Sequence, residues 1–134
     1  MIEVVAGAIV VDRKLLCAQR GKSKYDYISY KYEFPGGKIE PNESHKEALK
    51  RELIEELGLE VDVRDFVTTV EHDYPDFSIK MHCYLCYACS YDGTMHEHQD
   101  YILASLSQFE EIEWIEADLP IMEKLKEGFA HVFD

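Results

Sequence analysis

A short helix with crowded carboxylates constrains this sequence more than any other feature. Ser44 and Glu47 have the spacing of a capping box at a helix start. Three leucines then repeat every four residues and form an apolar ridge: Leu49, Leu53 and Leu57. Gly58 follows, the residue type most often found just beyond a helix end. The sequence therefore predicts an amphipathic helix between Ser44 and Gly58, with its leucines packed on another element.

The same helix carries Glu52, Glu55 and Glu56 on one face, within an arc of about 100°. Like charges at this spacing destabilise a helix, and the helix dipole disfavours acids in its C-terminal half. One interpretation is a solvated acidic face, the usual environment of a charge run. The other is a divalent cation site, since Mg²⁺ prefers a few carboxylates with waters and substrate phosphates. The preceding glycine pair, Gly36-Gly37, favours the second because glycine lets backbone approach a ligand closely.

Strand patterns surround this helix. EVVAGAIVV and KLLCAQR predict a hairpin across Asp12-Arg13, and LEVDVRDFVTTVEHDY and FSIKMHCYLCYACSYDG predict two more strands. GKSKYDYISYK and the polar segment 94–99 are predicted loops, and ADLPIMEKLKEGFAHVF predicts a closing amphipathic helix. We therefore expect an α/β or α+β fold. The 134 residues suit one domain, 1–134.

Composition narrows the function classes. The formal net charge of −13 argues against a nucleic-acid surface, which needs a basic stripe, but permits an anionic small molecule if metal ions screen the repulsion. No apolar run approaches the roughly 20 residues of a membrane span, and the N-terminus resembles a strand more than a signal peptide. We expect a cytoplasmic protein with no membrane or nucleic-acid partner.

Three cysteines, Cys83, Cys86 and Cys89, have a spacing found among metal ligands. They lie in a predicted strand, where Cys86 would face away from the other two. We therefore predict buried strand thiols, with no metal or cluster site.

The segment from Gly37 to Leu59, GKIEPNESHKEALKRELIEELGL, resembles the Nudix box at every fixed position. These positions are Gly37, Glu43, Arg51, Glu52, Leu53, Glu55, Glu56, Gly58 and Leu59. EFPGGKIE before the helix, AQR in the second strand and AD-x-P near the end resemble the MutT-like branch. MIEVVA, EPNES, EELG and HEHQ are most similar to pyrophosphohydrolases of CTP and of oxidised or methylated pyrimidine nucleotides. The resemblance implies a Nudix α/β/α sandwich, with a mixed β-sheet between helices.

The resemblance also implies roles for the box residues. Glu52, Glu55 and Glu56, with the carbonyl of Gly37, would bind Mg²⁺ or Mn²⁺. Arg51 would orient a box glutamate, and Glu43 would secure the helix or a metal-bound water. The metals would neutralise the triphosphate and activate water, and the products would be a nucleoside monophosphate and pyrophosphate.

The general base is either Glu52 or an acid from a later loop, where Glu97 occupies the matching place. Glu97 would then also bind metal, and its alternative is a solvated loop acid. The neighbouring His96 and His98 are expected to be exposed, and their alternative is to bind phosphate or to adjust the pKa of a neighbouring group.

Substrate contacts follow from the same resemblance. Arg20 matches a phosphate-binding arginine, and its alternative role is a strand-end salt bridge. Lys38 either helps to bind the phosphates or is simply exposed. Asp118 matches a nucleobase-reading position, where a carboxylate would accept a hydrogen bond from cytosine N4, or it is an N-cap. Phe34 and Tyr32 are candidate walls for a base, or core residues. Relatives often carry Trp where this chain has Tyr32 and Leu103.

These implications favour a Mg²⁺-dependent hydrolase of CTP, dCTP or oxidised or methylated pyrimidine nucleotides. An 8-oxo-dGTP diphosphatase is the alternative within the family, and a non-catalytic nucleotide-sensing Nudix domain is the alternative class. The expected partner is a small-molecule nucleoside triphosphate, and the chain is expected to be a monomer or a homodimer.

Overall fold

A computed structural model describes all 134 residues. The strands are β1 (Ile2–Val11), β2 (Lys14–Arg20), β3 (Tyr32–Glu33), β4 (Gly36–Lys38), β5 (Asp62–Asp73), β6 (Ser78–Ala88) and β7 (His98–Ala104). The α-helices are α1 (His45–Leu57) and α2 (Leu119–Gly128), and short 3-10 turns span Leu106–Glu111, Glu116–Asp118 and Ala130–Val132. None of the helices is both long and apolar enough to cross a bilayer.

The seven strands form one mixed sheet. Its order is β3-β2-β1-β6-β5, and β4 and β7 pair additionally with β1 and β2. The long central strands β1 and β6 run parallel, whereas all other pairs are antiparallel. The predicted hairpin between β1 and β2 is confirmed, and its turn residues Asp12 and Arg13 have φ of 49° and 63°.

Each face of the sheet is covered by one helix. The α1 leucines pack on Val5, Ile9 and Leu16, while α2 packs on the opposite face with Leu85 and Phe109. The sandwich predicted from the resemblance, with a mixed sheet between helices, is therefore confirmed. Cys83 and Cys86 are buried on opposite faces of β6, so they cannot share one metal ion.

Helix α1 begins and ends where the sequence predicts. The Ser44 hydroxyl accepts a hydrogen bond from Glu47 N–H, and the Glu47 carboxylate accepts one from Ser44 N–H. Gly58 ends the helix in the left-handed region at φ 60°. This conformation strains any residue with a Cβ, which explains glycine at this point.

The predicted loop at 94–99 is wrong at its C-terminal end. Strand β7 begins at His98 and pairs along β2 from Leu15 to Arg20. The strand begins with three polar residues, HQD, which lack the alternating apolar pattern of a strand. They lie at the end of the sheet, next to a register shift between Gln19 and Arg20. As part of β7, His98 has a buried side chain.

Candidate active site

One cleft of about 790 Å³ runs between β4, α1 and the parallel strands β1 and β6. Ten residues predicted from the sequence as site residues line it: Arg20, Phe34, Gly37, Lys38, Arg51, Glu52, Glu55, Glu56, Glu97 and Asp118. Glu43 does not line the cleft but contacts Arg51. Residues that are far apart in sequence thus converge on one concave surface.

Arg51 organises the acidic side of the cleft. Its Nε and Nη2 donate to both carboxylate oxygens of Glu43, at 2.7 and 2.9 Å. Nη1 donates to Glu52 at 2.9 Å and to Glu55 at 3.3 Å, and Nη2 also donates to the Lys38 carbonyl at 3.0 Å. Arg51 hydrogen bonding lowers the pKa of Glu43 to about 2. A planar guanidinium with five donors can make all these bonds at once, which lysine could not.

Gly37 is required by the position of the Glu52 carboxylate. A Cβ built on Gly37 would lie 2.4 Å from the Glu52 carboxyl carbon. On the neighbouring Gly36, a Cβ would lie 1.9 Å from the Val5 carbonyl oxygen of β1. The two glycines therefore serve different ends: Gly36 permits strand pairing, and Gly37 permits the approach of a carboxylate.

These contacts predict opposite outcomes for two alanine variants. Gly37→Ala should displace the Glu52 carboxylate, so turnover should fall by roughly a hundredfold while the fold survives. Gly36→Ala should disrupt the pairing of β4 with β1 and lower the free energy of unfolding by roughly 3 kcal/mol. Urea unfolding and nucleotide turnover measured on both variants would check this. If the two variants lost the same amount of stability and the same amount of activity, the separate roles of Gly36 and Gly37 would be contradicted.

Glu56 is a buried acid with one unpartnered carboxylate oxygen. Only 5% of the residue is exposed, and its Oε2 atom has no hydrogen-bond partner. Burial raises the pKa of Glu56 to about 9, helped by the nearby charge of Glu97. Burial also raises the pKa of Glu52, although Arg51 opposes this shift. An orphaned carboxylate oxygen beside three more acids fits a hard divalent cation, which would satisfy the oxygen and neutralise the crowded charge.

The shifted Glu56 pKa predicts how stability depends on pH. Because the pKa is about 9 in the folded chain and 4.5 in an ordinary glutamate, the folded state retains a proton that the unfolded chain has lost. The free energy of unfolding of the metal-free protein should therefore fall as pH rises from 4.5 to 9. Glu56→Gln should remove this part of the slope. Denaturant unfolding of both proteins across that range would check it, and parallel curves would contradict it.

Beside the acids, Glu33 contacts both Arg20 and His98. The predicted alternative of a strand-end salt bridge for Arg20 is confirmed, whereas the contact with His98 was not predicted. Glu33 accepts two hydrogen bonds from Arg20 Nη1, at 3.1 and 3.3 Å, and lies 2.8 Å from His98 Nε2. The His98 side chain is only 4% exposed, so the expectation that it is exposed is wrong. Glu33 precedes Phe34 in the segment EFPGGKIE, but only the pairing of β2 with β3 and β7 shows that it meets Arg20 and His98.

The far end of the cleft is apolar and holds one more buried acid. Asp118 is 1% exposed, and its Oδ2 accepts a hydrogen bond from Phe34 N–H at 3.1 Å, while Oδ1 has no partner. Asp118 occupies the N-cap position of α2, as the alternative predicted, but its side chain makes no capping hydrogen bond. Burial raises its pKa well above the usual range. Burial therefore favours the protonated acid over the carboxylate, and the role of Asp118 as an acceptor-only carboxylate stays a prediction.

The candidate aromatic walls differ in their environments. Phe34 is 4% exposed and stacks on Trp114, with ring centroids 4.8 Å apart. Tyr32 is half-buried and joins Trp114 through an isolated bridge, outside the cleft lining. Phe34 thus belongs to the core and lines the cleft at once, and Trp114 supports it from behind.

Comparisons with known proteins agree with this geometry. The family model described as NUDIX domain matches residues 1–133. The CTP pyrophosphohydrolase of Escherichia coli (strain K12) is 38% identical over 92% of this chain and 90% of its own length. The 8-oxo-dGTP diphosphatase of Proteus vulgaris is 37% identical over 60% of this chain and 72% of its own. The solution structure of the E. coli ORF135 protein matches with a TM-score of 0.78 and 36% identity, over 96% of this chain and 93% of that one.

Proposed function

Because the chain belongs to the Nudix hydrolase family, we propose that it cleaves a nucleoside triphosphate to a nucleoside monophosphate and pyrophosphate with the help of Mg²⁺ or Mn²⁺. The observation that carries the proposal is the convergence of Glu52, Glu55, Glu56 and Glu97 on one cleft. Four acids would repel a polyphosphate, so the cleft suits such a substrate only with divalent cations between them.

The acids and Gly37 would have different roles at the acidic end of the cleft, where the phosphates would react. Glu52, Glu56 and the Gly37 carbonyl would hold the metal, with Glu55 and Glu97 at its more exposed side. The bound metal supplies charge neutralisation and lowers the pKa of a water. Arg51 keeps Glu52 in place, and Glu43 keeps Arg51 in place. Glu52 or Glu97 would accept the proton of the attacking water.

The other end of the cleft would bind the rest of the nucleotide. Both bonds of Arg20 to Glu33 use Nη1, so Nε and Nη2 keep donors for phosphate oxygens. Lys38 is exposed at the cleft edge and offers a second cation. Asp118 presents its unpartnered Oδ1 beside the Phe34 wall and would pair with the Watson–Crick edge of the base.

We infer that the base is a pyrimidine, as in CTP, dCTP or their oxidised or methylated forms. The support is the E. coli CTP pyrophosphohydrolase, which is similar over nearly the full length of both chains. The Proteus relative makes 8-oxo-dGTP the second candidate. Asp118 does not decide between them, because cytosine and guanine edges each combine a donor with an acceptor.

A nucleotide panel tests this assignment. CTP, dCTP, 5-methyl-dCTP and 8-oxo-dGTP would be compared at fixed Mg²⁺ for release of monophosphate and pyrophosphate. We expect kcat/KM to be highest for a cytidine nucleotide. Higher kcat/KM for 8-oxo-dGTP than for every cytidine nucleotide would overturn the pyrimidine assignment, and binding without turnover of any would favour a sensing domain.

Asp118→Asn sharpens the same test. The side-chain oxygen of asparagine can still accept the hydrogen bond from Phe34 N–H. Its amide nitrogen, which replaces the second carboxylate oxygen, can only donate. The ratio of kcat/KM between cytidine nucleotides and 8-oxo-dGTP should therefore change by roughly ten- to a hundredfold. A uniform fall for all substrates would show that Asp118 only supports the fold.

A further inference from the structure

A second group of potential metal ligands lies away from the acidic cleft. Glu3 of β1, His45 at the start of α1 and His82 of β6 each place one ligand atom within 4.8 Å of the other two. Glu3 Oε2 is 2.6 Å from His82 Nε2, and the two imidazole rings stack with centroids 4.2 Å apart. None of the three lines the cleft that holds Glu52 and Glu56.

Both histidines have an outer partner at the same ring nitrogen. His45 Nδ1 lies 2.9 Å from the Tyr84 hydroxyl, and His82 Nδ1 lies 2.8 Å from Thr69 Oγ1. Metal-bound histidines usually donate their second ring N–H to a carboxylate, a carbonyl or a water, which fixes the tautomer and the ring orientation, and a hydroxyl oxygen can accept the same bond. Nε2 of each ring is therefore the nitrogen that a metal would take, and on His82 the ion would replace the hydrogen bond to Glu3 Oε2. Because the two rings stack with planes only 20° apart, they would have to turn for both Nε2 atoms to point at one ion.

We propose that Glu3, His45 and His82 bind a Zn²⁺-type transition metal ion. Two imidazole nitrogens and one carboxylate oxygen suit Zn²⁺, with water as a fourth ligand. The all-oxygen cleft suits Mg²⁺ instead, so the two sites differ in the metal that each prefers. The His82 side chain is only 9% exposed whereas Glu3 is half-exposed, so an ion would enter from the Glu3 side.

The position of the site gives the ion a structural role. Its ligands come from both parallel central strands and from the first residue of α1. A bound ion would therefore fix the start of the helix that carries Glu52, Glu55 and Glu56. Since the unfolded chain does not bring these ligands together, the ion should also stabilise the fold.

Calorimetric titration of Zn²⁺ into the full chain, in saturating Mg²⁺ to fill the acidic cleft, tests the proposal. We expect one bound Zn²⁺, and Glu3→Gln and His45→Gln should each weaken binding by more than roughly tenfold. His131→Gln, which changes an exposed histidine far along the chain, should bind Zn²⁺ as the unaltered protein does. Co²⁺ should give the visible bands of a four-coordinate site, and these should be lost in His45→Gln.

Three outcomes would overturn the proposal. They are absence of Zn²⁺ binding in Mg²⁺, equal binding by Glu3→Gln, His45→Gln and the unaltered chain, and loss of binding in Glu52→Gln. The half-exposed Glu3 keeps the test valid if His45→Gln misfolds, as circular dichroism would show. None of these outcomes bears on Mg²⁺-dependent hydrolysis, so the two proposals fail separately.

Discussion

Glu52→Gln is expected to lower kcat for nucleoside triphosphate hydrolysis by roughly a thousandfold, equivalent to about 4 kcal/mol of transition-state stabilisation. The amide keeps the shape of the side chain but removes the charge that would hold the metal or accept the proton. Its carboxylate lies against Gly37 and accepts from Arg51 at 2.9 Å, so no neighbouring acid can take its exact place. Steady-state turnover at saturating Mg²⁺ would measure the loss.

Glu60→Gln is the matched control for this variant. Glu60 is an exposed acid three residues beyond Leu57, the last residue of α1, and does not line the cleft. It should retain full activity, which separates loss of a site carboxylate from loss of one negative charge on an acidic protein. If Glu52→Gln keeps nearly full activity, Glu52 neither binds the metal nor acts as base.

Removal of divalent metal is expected to abolish hydrolysis and to lower thermal stability. Arg51 still contacts Glu52 and Glu55, but no cation then compensates Glu56 and Glu97, and burial keeps the pKa of Glu56 at about 9. Mg²⁺ at a hundred times its Kd should stabilise the fold by about 2.7 kcal/mol and raise Tm by roughly 5–10 °C. A chelator titration followed by addition of Mg²⁺, with turnover and Tm read on the same samples, would measure both effects.

Proton release is a further consequence of the same binding step. At neutral pH Glu56 is protonated and must lose its proton to bind a metal, so Mg²⁺ binding should release protons. Calorimetry in two buffers of different ionisation enthalpy would count them, and Glu56→Gln is the control that should release fewer.

Full activity in excess chelator, or a Tm that does not respond to Mg²⁺, would contradict the metal-dependent mechanism.

Local signals in the sequence predicted the helix of the site well. The capping box at Ser44 and Glu47, the leucine ridge and Gly58 are short-range features, and each has the geometry that its residue types favour. The spacing of the glutamates also predicted that they share a face. Long-range pairing was harder to predict: β7 was missed, because its polar start resembles a loop.

The sequence pattern did not predict the features that depend on tertiary contacts. Glu33 meets Arg20 and His98 only because β3 and β7 both pair with β2. No local pattern shows the nearly complete burial of Asp118, which raises its pKa. Glu3, His45 and His82 are far apart in the chain, and the parallel pairing of β1 with β6 brings two of them together.

A crystal structure of the chain with Mn²⁺ and a non-hydrolysable CTP analogue would test the central claim most directly. The anomalous signal of Mn²⁺ should lie between the Glu52 and Glu56 carboxylates and the Gly37 carbonyl, with triphosphate oxygens completing its coordination. A bound analogue whose Mn²⁺ signal lies elsewhere, with Glu52 and Glu56 uncoordinated, would show that the acidic helix is not the metal site.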